Sequence, residues 1–149
     1  MLDIFRHATP KDRHILKIVN DKSGRCNSYV GFQNETVQVI TIASDSCYNH
    51  ADISHELLHG AGMFHEHNRL DRDDYIVIHE NCIRQDKLIQ FKKAPQASTY
   101  GSYDPASIMH YASGDQSRGD CPSFQSRVRK YSFYKWSFDF SIRFITLRS

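Results

Sequence analysis

The chain has 149 residues, a formal net charge of +2, 40% hydrophobic residues and 24% charged residues. This length fits one domain with a buried core, and a mean hydropathy of -0.58 is ordinary for a globular protein, which excludes wholesale disorder. The small charge argues against nucleic acid as a partner, and no apolar run approaches the roughly 18 residues that a membrane span needs.

Hydrophobic spacing predicts three elements in the N-terminal part. A short helix is predicted within a segment of residues 1–22, because four apolar side chains fit one helical face: Ile15, Leu16, Ile18 and Val19. Residues 29–30 and the β-branched run 37–42 predict two strands, with the turn between them at 34–35.

The composition becomes helical after residue 50. We predict a helix from about Ala51 to Ala61, which Asn49 or His50 caps and which Gly60 and Gly62 end. Further along the chain, the pattern predicts a charged turn, a short extended piece, a second helix and a long loop, at residues 71–74, 76–78, 81–93 and 95–108 respectively.

The cysteine count is even, which is compatible with two disulfides in an oxidising compartment and allows three connectivities. The four residues are Cys26, Cys47, Cys82 and Cys121. None belongs to a C-x-x-C pair, so a zinc site built from cysteines is not expected. No signal peptide opens the sequence. Either the cysteines are reduced or the chain lacks its natural beginning.

The end of the chain differs in composition from the rest. Residues 124–149 carry six basic side chains and one acid, a local +5, and hold eight of the 18 aromatic residues. Aromatic and polar residues alternate over 136–144, which predicts a strand. Three interpretations stay open for this tail: a strand for a partner or a membrane surface, a divergent piece of core, or the translation of a mispredicted exon.

Residues 55–65 read H-E-x-x-H-x-x-G-x-x-H, a zinc-binding pattern. His55 and His59 are four residues apart, so on a helix both imidazoles lie on one face and reach the same metal ion. Gly62 permits the positive φ that turns the chain and brings His65 back. Three histidines leave a tetrahedral zinc ion with an open position, so we predict one catalytic zinc per chain.

Glu56 follows the first histidine and is the predicted general base and acid. Its carboxylate would take a proton from a zinc-bound water as that water attacks a carbonyl, and would later protonate the leaving amine. The predicted reaction is therefore amide hydrolysis. A structural zinc site is the competing interpretation, and it would need a fourth protein ligand such as Cys47 or His67.

With these residues in place, the sequence resembles the astacin family of zinc endopeptidases within the metzincins. Residues 65–75 carry the extension H-E-x-x-R-x-D-R-D-x-Y, and residues 103–111 resemble the Met-turn segment of the family. The resemblance implies an α+β, zincin-like catalytic domain over residues 14–115, with a mixed twisted sheet over an active-site helix. It also implies a secreted, monomeric metalloendopeptidase that acts on polypeptides.

The resemblance also assigns residue roles. Met109 would form the hydrophobic floor beneath the histidines, and Tyr111 would be a fifth zinc ligand at rest that swings to stabilise the oxyanion. Cys26 and Cys47 match a short-range disulfide of the family. An extended substrate would pair with an edge strand, for which the candidates are Val37, Val39 and Thr41.

The C-terminal side departs from the family pattern. Only the segment 112–149 follows Tyr111, so the C-terminal subdomain is shortened, and residues 116–149 do not resemble it. The pairing of Cys82 and Cys121 stays open. Glu66 would hold the processed N-terminus in the family, and the chain offers no obvious processed end. The alternative function is therefore a truncated homologue that binds zinc and peptides without hydrolysing them.

Overall fold

A three-stranded sheet forms the first half of the protein. In the computed structural model its strands are β1 (Ile15–Asn20), β2 (Asn27–Ser28) and β3 (Val37–Ile42), in the order β1-β3-β2. β1 runs parallel to β3, and β2 runs antiparallel to it. Along β3 buried and exposed residues alternate, with Ile40 0% exposed and Val39 38% exposed, as expected for a strand with one face in the core.

The structure describes residues 6–22, 24–43, 46–47, 49–97 and 99–127. The strand predicted over 136–144 lies outside the described residues, as does most of the aromatic and basic tail.

The helix predicted near residues 15–19 is wrong, because this segment is β1. Apolar residues at this spacing fit a helical face, but Ile15, Ile18 and Val19 are β-branched and pair in register with β3 from Val37 to Ile42. The strand predicted at residues 29–30 lies two residues earlier, as β2.

The prediction that Val37, Val39 and Thr41 lie on an edge strand is also wrong. β3 lies between β1 and β2, so it is the central strand of the described sheet. The segment that was predicted as a helix supplies the strand on one side of it. In the described part of the chain, β1 and β2 are the edges.

The predicted active-site helix is confirmed as α1 (His50–Gly60). The side chain of Asn49 caps it by accepting a hydrogen bond from the backbone N–H of Asp52. The chain turns at Gly62, whose φ is 100°. A Cβ on Gly60 would lie 3.1 Å from Leu16 Cδ2 and 3.2 Å from Ile40 Cδ1, so the missing side chain lets α1 pack closely on the sheet.

The second half of the protein is built from short elements around a small apolar core. β4 (Ile76–Ile78) pairs antiparallel with β5 (Phe124–Ser126), which lies in the segment predicted to be a divergent tail. The core residues are Ile76, Ile83, Phe91, Tyr103 and Phe124.

The helix predicted over 81–93 is wrong. Its place is taken by two 3-10 helices, Glu80–Cys82 and Gln85–Phe91. Between them Ile83 is extended and pairs with Ser117 in an isolated bridge. Burial of Ile83 in the core outweighs the local helical preference.

The four cysteines form two disulfides. Cys26 pairs with Cys47, as the resemblance implied, and Cys82 pairs with Cys121. The second disulfide joins the 3-10 helix Glu80–Cys82 to the chain just before β5. Among the described helices, none has the length and apolar character needed to cross a membrane.

Candidate active site

Three histidines converge at the C-terminal end of α1. His55 and His59 project from successive turns of the helix, and the turn at Gly62 brings His65 to them. The Nε2 atom of His65 lies 3.2 Å from His55 Nε2 and 3.2 Å from His59 Nε2. Among the described residues, this is the group of three metal-ligating side chains that can hold an ion.

The hydrogen bonds of the outer ring nitrogens fix how these histidines face one another. His55 Nδ1 donates to the carbonyl of Ile108 at 2.9 Å, and His59 Nδ1 donates to the carbonyl of Met63 at 2.7 Å. The Nε2 atoms of these two rings therefore carry lone pairs, and both lie close to His65 Nε2. A cation between the three Nε2 atoms would be bound by all three rings.

The spacing of the nitrogens suits zinc. Zinc–nitrogen bonds of about 2.0 to 2.1 Å in a tetrahedral site separate the ligand atoms by about 3.3 Å, close to the 3.2 Å that the structure shows. Burial lowers the pKa of His59. Burial, with the neighbouring His59 and His55, lowers the pKa of His65 to about 3. Both rings are therefore neutral near pH 7, the form that binds metal ions.

Glu56 lies in the same turn of α1 and is buried, with 8% of its surface exposed. Its Oε2 atom is buried and has no hydrogen-bond partner in the described part of the chain. Burial, followed by the charge of Asp52, raises the pKa of Glu56 to about 7. An unsatisfied buried carboxylate oxygen points to a partner that binds there, such as water or substrate.

Tyr111 packs beside the third histidine. Its ring centroid lies 4.7 Å from that of His65 and 4.3 Å from that of His67. The hydroxyl donates to Gln90 Oε1 at 3.3 Å. Burial, then Asp115 and Glu56, raises the pKa of Tyr111 to about 12, so the hydroxyl keeps its proton and can donate it.

The Met-turn segment contacts the residues of the site through its backbone. Met109 is 1% exposed, and its carbonyl accepts a hydrogen bond from the backbone N–H of Glu66 at 2.9 Å. The turn thus connects the segment after the third histidine to the chain just before Tyr111. The Glu66 carboxylate contacts Arg69 and the backbone N–H of Asp104, and no processed N-terminus lies among these contacts.

Two residues of the site were missed by sequence reasoning. His67 is 0% exposed, stacks on His65 with ring centroids 5.2 Å apart, and places its Nε2 3.2 Å from the carbonyl of Gln90. Gln90 also accepts from Tyr111. His67 lies within the family extension, but neither motif assigns a role to it or to Gln90, so the sequence offered no signal for these contacts.

The contacts of the candidate fourth ligands argue against a closed structural zinc site. His67 turns its Nε2 to a carbonyl instead of the triad, and Cys47 is bound to Cys26. Within the described residues, neither side chain joins the three histidines as a ligand. The open position favours a catalytic metal.

We predict that His110, beside the site, makes stability depend on pH. Its Nδ1 donates to the carbonyl of Tyr111 at 2.7 Å and its Nε2 accepts from the hydroxyl of Tyr103 at 2.6 Å. His67 and Phe124 also pack on its ring. Burial lowers the pKa of His110 to about 4, against opposing effects of Tyr111 and Asp104.

Because the folded pKa of His110 lies below the ordinary value of 6.5, the unfolded chain takes up the proton first as the pH falls. The stability from this group is full above pH 6.5 and is lost between pH 6.5 and 4, by about 3 kcal/mol. Urea unfolding at pH 7 and pH 4 measures the loss. His110→Gln keeps an acceptor for Tyr103 and should lose about 3 kcal/mol less than the wild type. Equal losses in the two proteins would contradict the assignment.

Comparisons with known proteins place this geometry in a family. The sequence profile described as Astacin, a peptidase family, matches residues 4–133. Zinc metalloproteinase nas-14 of Caenorhabditis elegans is 40% identical over 110 residues, which cover 72% of this chain and 22% of the relative. Low choriolytic enzyme of Oryzias latipes is 34% identical over 105 residues, which cover 70% of this chain and 38% of the relative. The chain therefore spans less than half the length of these relatives.

A solved structure agrees with the sequence matches. High choriolytic enzyme 1, a hatching enzyme zinc-protease from Oryzias latipes, matches with a TM-score of 0.73 and 27% identity, over 83% of this chain and 60% of that chain. The mixed α+β fold is thereby confirmed, and the histidine group suits the one zinc ion that the resemblance implied. Since the family profile covers most of the sequence and the three histidines of its zinc motif converge in the structure, this chain belongs to the astacin family.

Proposed function

We propose that this chain is a zinc-dependent metalloendopeptidase that hydrolyses internal peptide bonds of polypeptides and acts as a monomer outside the cell. One observation carries the proposal: three imidazole nitrogens converge, and the helix that supplies two of them also carries a buried carboxylate oxygen that has no partner in the described structure. An open coordination position next to a proton acceptor is the arrangement that hydrolysis by an activated water requires.

His55, His59 and His65 hold the zinc ion, with two of the rings oriented by the carbonyls of Ile108 and Met63. Zinc, when bound, supplies a Lewis acid that polarises the carbonyl and makes water nucleophilic near neutral pH. Glu56 accepts a proton from the water that attacks the carbonyl carbon. It then returns this proton to the amine nitrogen as the carbon–nitrogen bond breaks.

Tyr111 supplies the charge stabilisation. A neutral phenol beside the third histidine can donate its single proton to the oxygen on which negative charge develops. The hydroxyl donates to Gln90 in this structure, so it must leave that acceptor when it donates to substrate. Met109 forms the floor of the site; it is buried and follows Ile108, whose carbonyl accepts a hydrogen bond from His55.

The substrate-binding strand is assigned to β2 instead of β3. β2 lies at the edge of the described sheet and next to α1, which carries the catalytic residues. An extended polypeptide can add to such an edge through main-chain hydrogen bonds. An open cleft of about 420 Å³ is lined by His65, Tyr111, Phe64 and Ile89 among others, and it can accept a substrate side chain.

The two disulfides support a site of action outside the cell. Cys26–Cys47 and Cys82–Cys121 account for all four cysteines. Such crosslinks form and persist in oxidising compartments and are rare in the cytosol.

Removal of the metal tests the proposal. We expect the zinc-loaded chain to cleave an unfolded polypeptide, a chelator to abolish cleavage, and stoichiometric zinc to restore it, because the lone pairs of the triad need a cation to organise attack. Product formation is followed by mass spectrometry, with zinc content measured in each sample. A folded chain with one zinc ion and no turnover would contradict the proposal, and so would full turnover in the chelated sample.

Replacing Tyr111 by phenylalanine tests the oxyanion role. We expect a fall in kcat of about 100-fold with little change in KM, because the donor acts mainly in the transition state. The ring contacts with His65 and His67 are kept, so the packing around the three histidines should be unchanged, and zinc content is measured in each sample. Tyr75→Phe is the control, since Tyr75 stacks on Tyr103 in the core. Equal kcat values for Tyr111→Phe and wild type would remove the role.

A further inference from the structure

A charged turn lies at the surface outside the catalytic site. Residues 118–120 read Arg-Gly-Asp, and all three are exposed. The turn follows the bridge between Ile83 and Ser117 and ends at the half-cystine Cys121. None of the proposed catalytic steps uses these residues.

The turn is fixed at both ends. On its N-terminal side, the backbone N–H of Arg118 donates to the carbonyl of Cys82 at 2.6 Å. On its C-terminal side, Cys121 is joined to the same residue by a disulfide. Cys82 thus anchors both ends of the turn, one through its carbonyl and the other through its disulfide. Such a loop loses less conformational entropy on binding than a free peptide does.

Gly119 forms the tip. Its φ is +74°, a left-handed conformation that favours glycine, and a Cβ built there would meet nothing within 4 Å. The glycine is therefore required by backbone conformation and not by packing. The open space around it leaves the two flanking charges accessible to a partner.

Both charges are available for binding. Asp120 is exposed and makes no hydrogen bond or ion pair within the part of the chain that the structure describes. With other described residues, the guanidinium of Arg118 has one marginal contact, Nη2 to the carbonyl of Asn81 at 3.5 Å. Exposed opposite charges two residues apart often pair with neighbouring side chains, but within residues 6–127 as described neither of these two does.

We infer that this turn docks the protein onto a cell-surface receptor that reads the Arg-Gly-Asp tripeptide. The receptor site that fits it presents a bound divalent cation to the Asp120 carboxylate and acidic side chains to the Arg118 guanidinium. This function is separate from hydrolysis and would hold the enzyme at a cell surface. It depends on the chain being outside the cell and not on zinc chemistry.

Binding of the full chain to a purified receptor tests the inference. The probe is an immobilised ectodomain of an Arg-Gly-Asp-binding integrin in Mn²⁺ buffer, with binding followed by surface plasmon resonance. We expect saturable binding that a synthetic Gly-Arg-Gly-Asp-Ser peptide displaces. Asp120→Glu keeps the charge but lengthens the side chain by one methylene, and it should weaken binding by at least about 30-fold.

Matched variants separate recognition of the turn from general surface attraction. Asp86→Glu, on the exposed Arg84–Asp86 pair, should bind like the wild type. Both variants should unfold at the same temperature as the wild type, because each alters one exposed side chain. If the wild type binds no more tightly than Asp120→Glu, or if the peptide fails to displace it, the inference is overturned.

Discussion

Replacing Glu56 by glutamine is expected to lower kcat/KM for peptide hydrolysis by about 10³-fold while zinc binding is unchanged. Glutamine has nearly the shape of glutamate and leaves the Nδ1 hydrogen bonds of His55 and His59 to the carbonyls of Ile108 and Met63 in place. It cannot accept the proton of the attacking water, and so it cannot return one to the leaving amine. The rate of cleavage of an unfolded polypeptide measures the effect, with zinc content determined alongside.

Asp52→Asn is the matched control for this substitution. Asp52 lies one turn earlier in α1 and contributes to the raised pKa of Glu56, but its carboxylate contacts the capping residue Asn49. We expect its variant to keep activity within a few-fold of the wild type. A Glu56→Gln protein that holds one zinc ion and retains a tenth or more of the wild-type rate would show that another group moves the proton.

Helix α1 could be predicted because its signals are local and agree with one another. Asn49 caps it, Gly62 turns the chain after it, and the two histidines share one face. Each requirement acts within a few residues, so spacing alone specifies the arrangement. The position of His65 followed from the same logic, because a third ligand needs the helix to stop.

The sheet was harder to predict because it depends on pairing between distant residues. The run from Ile15 to Val19 suits a helical face and a strand equally well, and only its register with β3 decides between them. Because β1 lies on one side of β3 and β2 on the other, β3 is not an edge of the described sheet. The wrong helix thus removed one of the two neighbours that make β3 a central strand.

The surroundings of the site were beyond sequence reasoning for a similar reason. Gln90 reaches Tyr111 because the segment before it is broken at Ile83 and held by the Cys82–Cys121 disulfide. The sequence pattern predicted a continuous helix over this segment, and in such a helix Gln90 would lie at a different position relative to Tyr111. Burial of an apolar side chain and a crosslink between distant residues decided the conformation.

Arg69 holds the segment after the third histidine to the loop that leads into the Met-turn. Its guanidinium contacts the carboxylates of Glu66 and Asp71 at 3.0 and 2.8 Å, with a second bond to Asp71 from Nε. It also donates to three carbonyls of the loop, those of Thr99, Gly101 and Ser102. The arginine is 5% exposed and lies over the ring of Tyr103.

Replacing Arg69 by methionine is expected to lower the free energy of unfolding by about 3 to 5 kcal/mol. Methionine fills much of the space, but it leaves the Glu66 carboxylate without its cation and the loop carbonyls without donors. Burial already raises the pKa of Glu66, and Arg69 opposes that shift. Urea unfolding measures the loss as a shift of the midpoint at constant slope.

Two further variants show whether the loss of stability in Arg69→Met comes from the geometry of the guanidinium or from its charge. Arg69→Lys keeps the charge, but one ammonium cannot serve two carboxylates and three carbonyls, so we expect a loss between those of wild type and Arg69→Met. Arg84→Met breaks an ion pair whose partners are 53% and 59% exposed, and it should cost less than about 1 kcal/mol. If Arg69→Met proved no more destabilising than Arg84→Met, the network around Arg69 would not be what holds the Met-turn beside the zinc ligands.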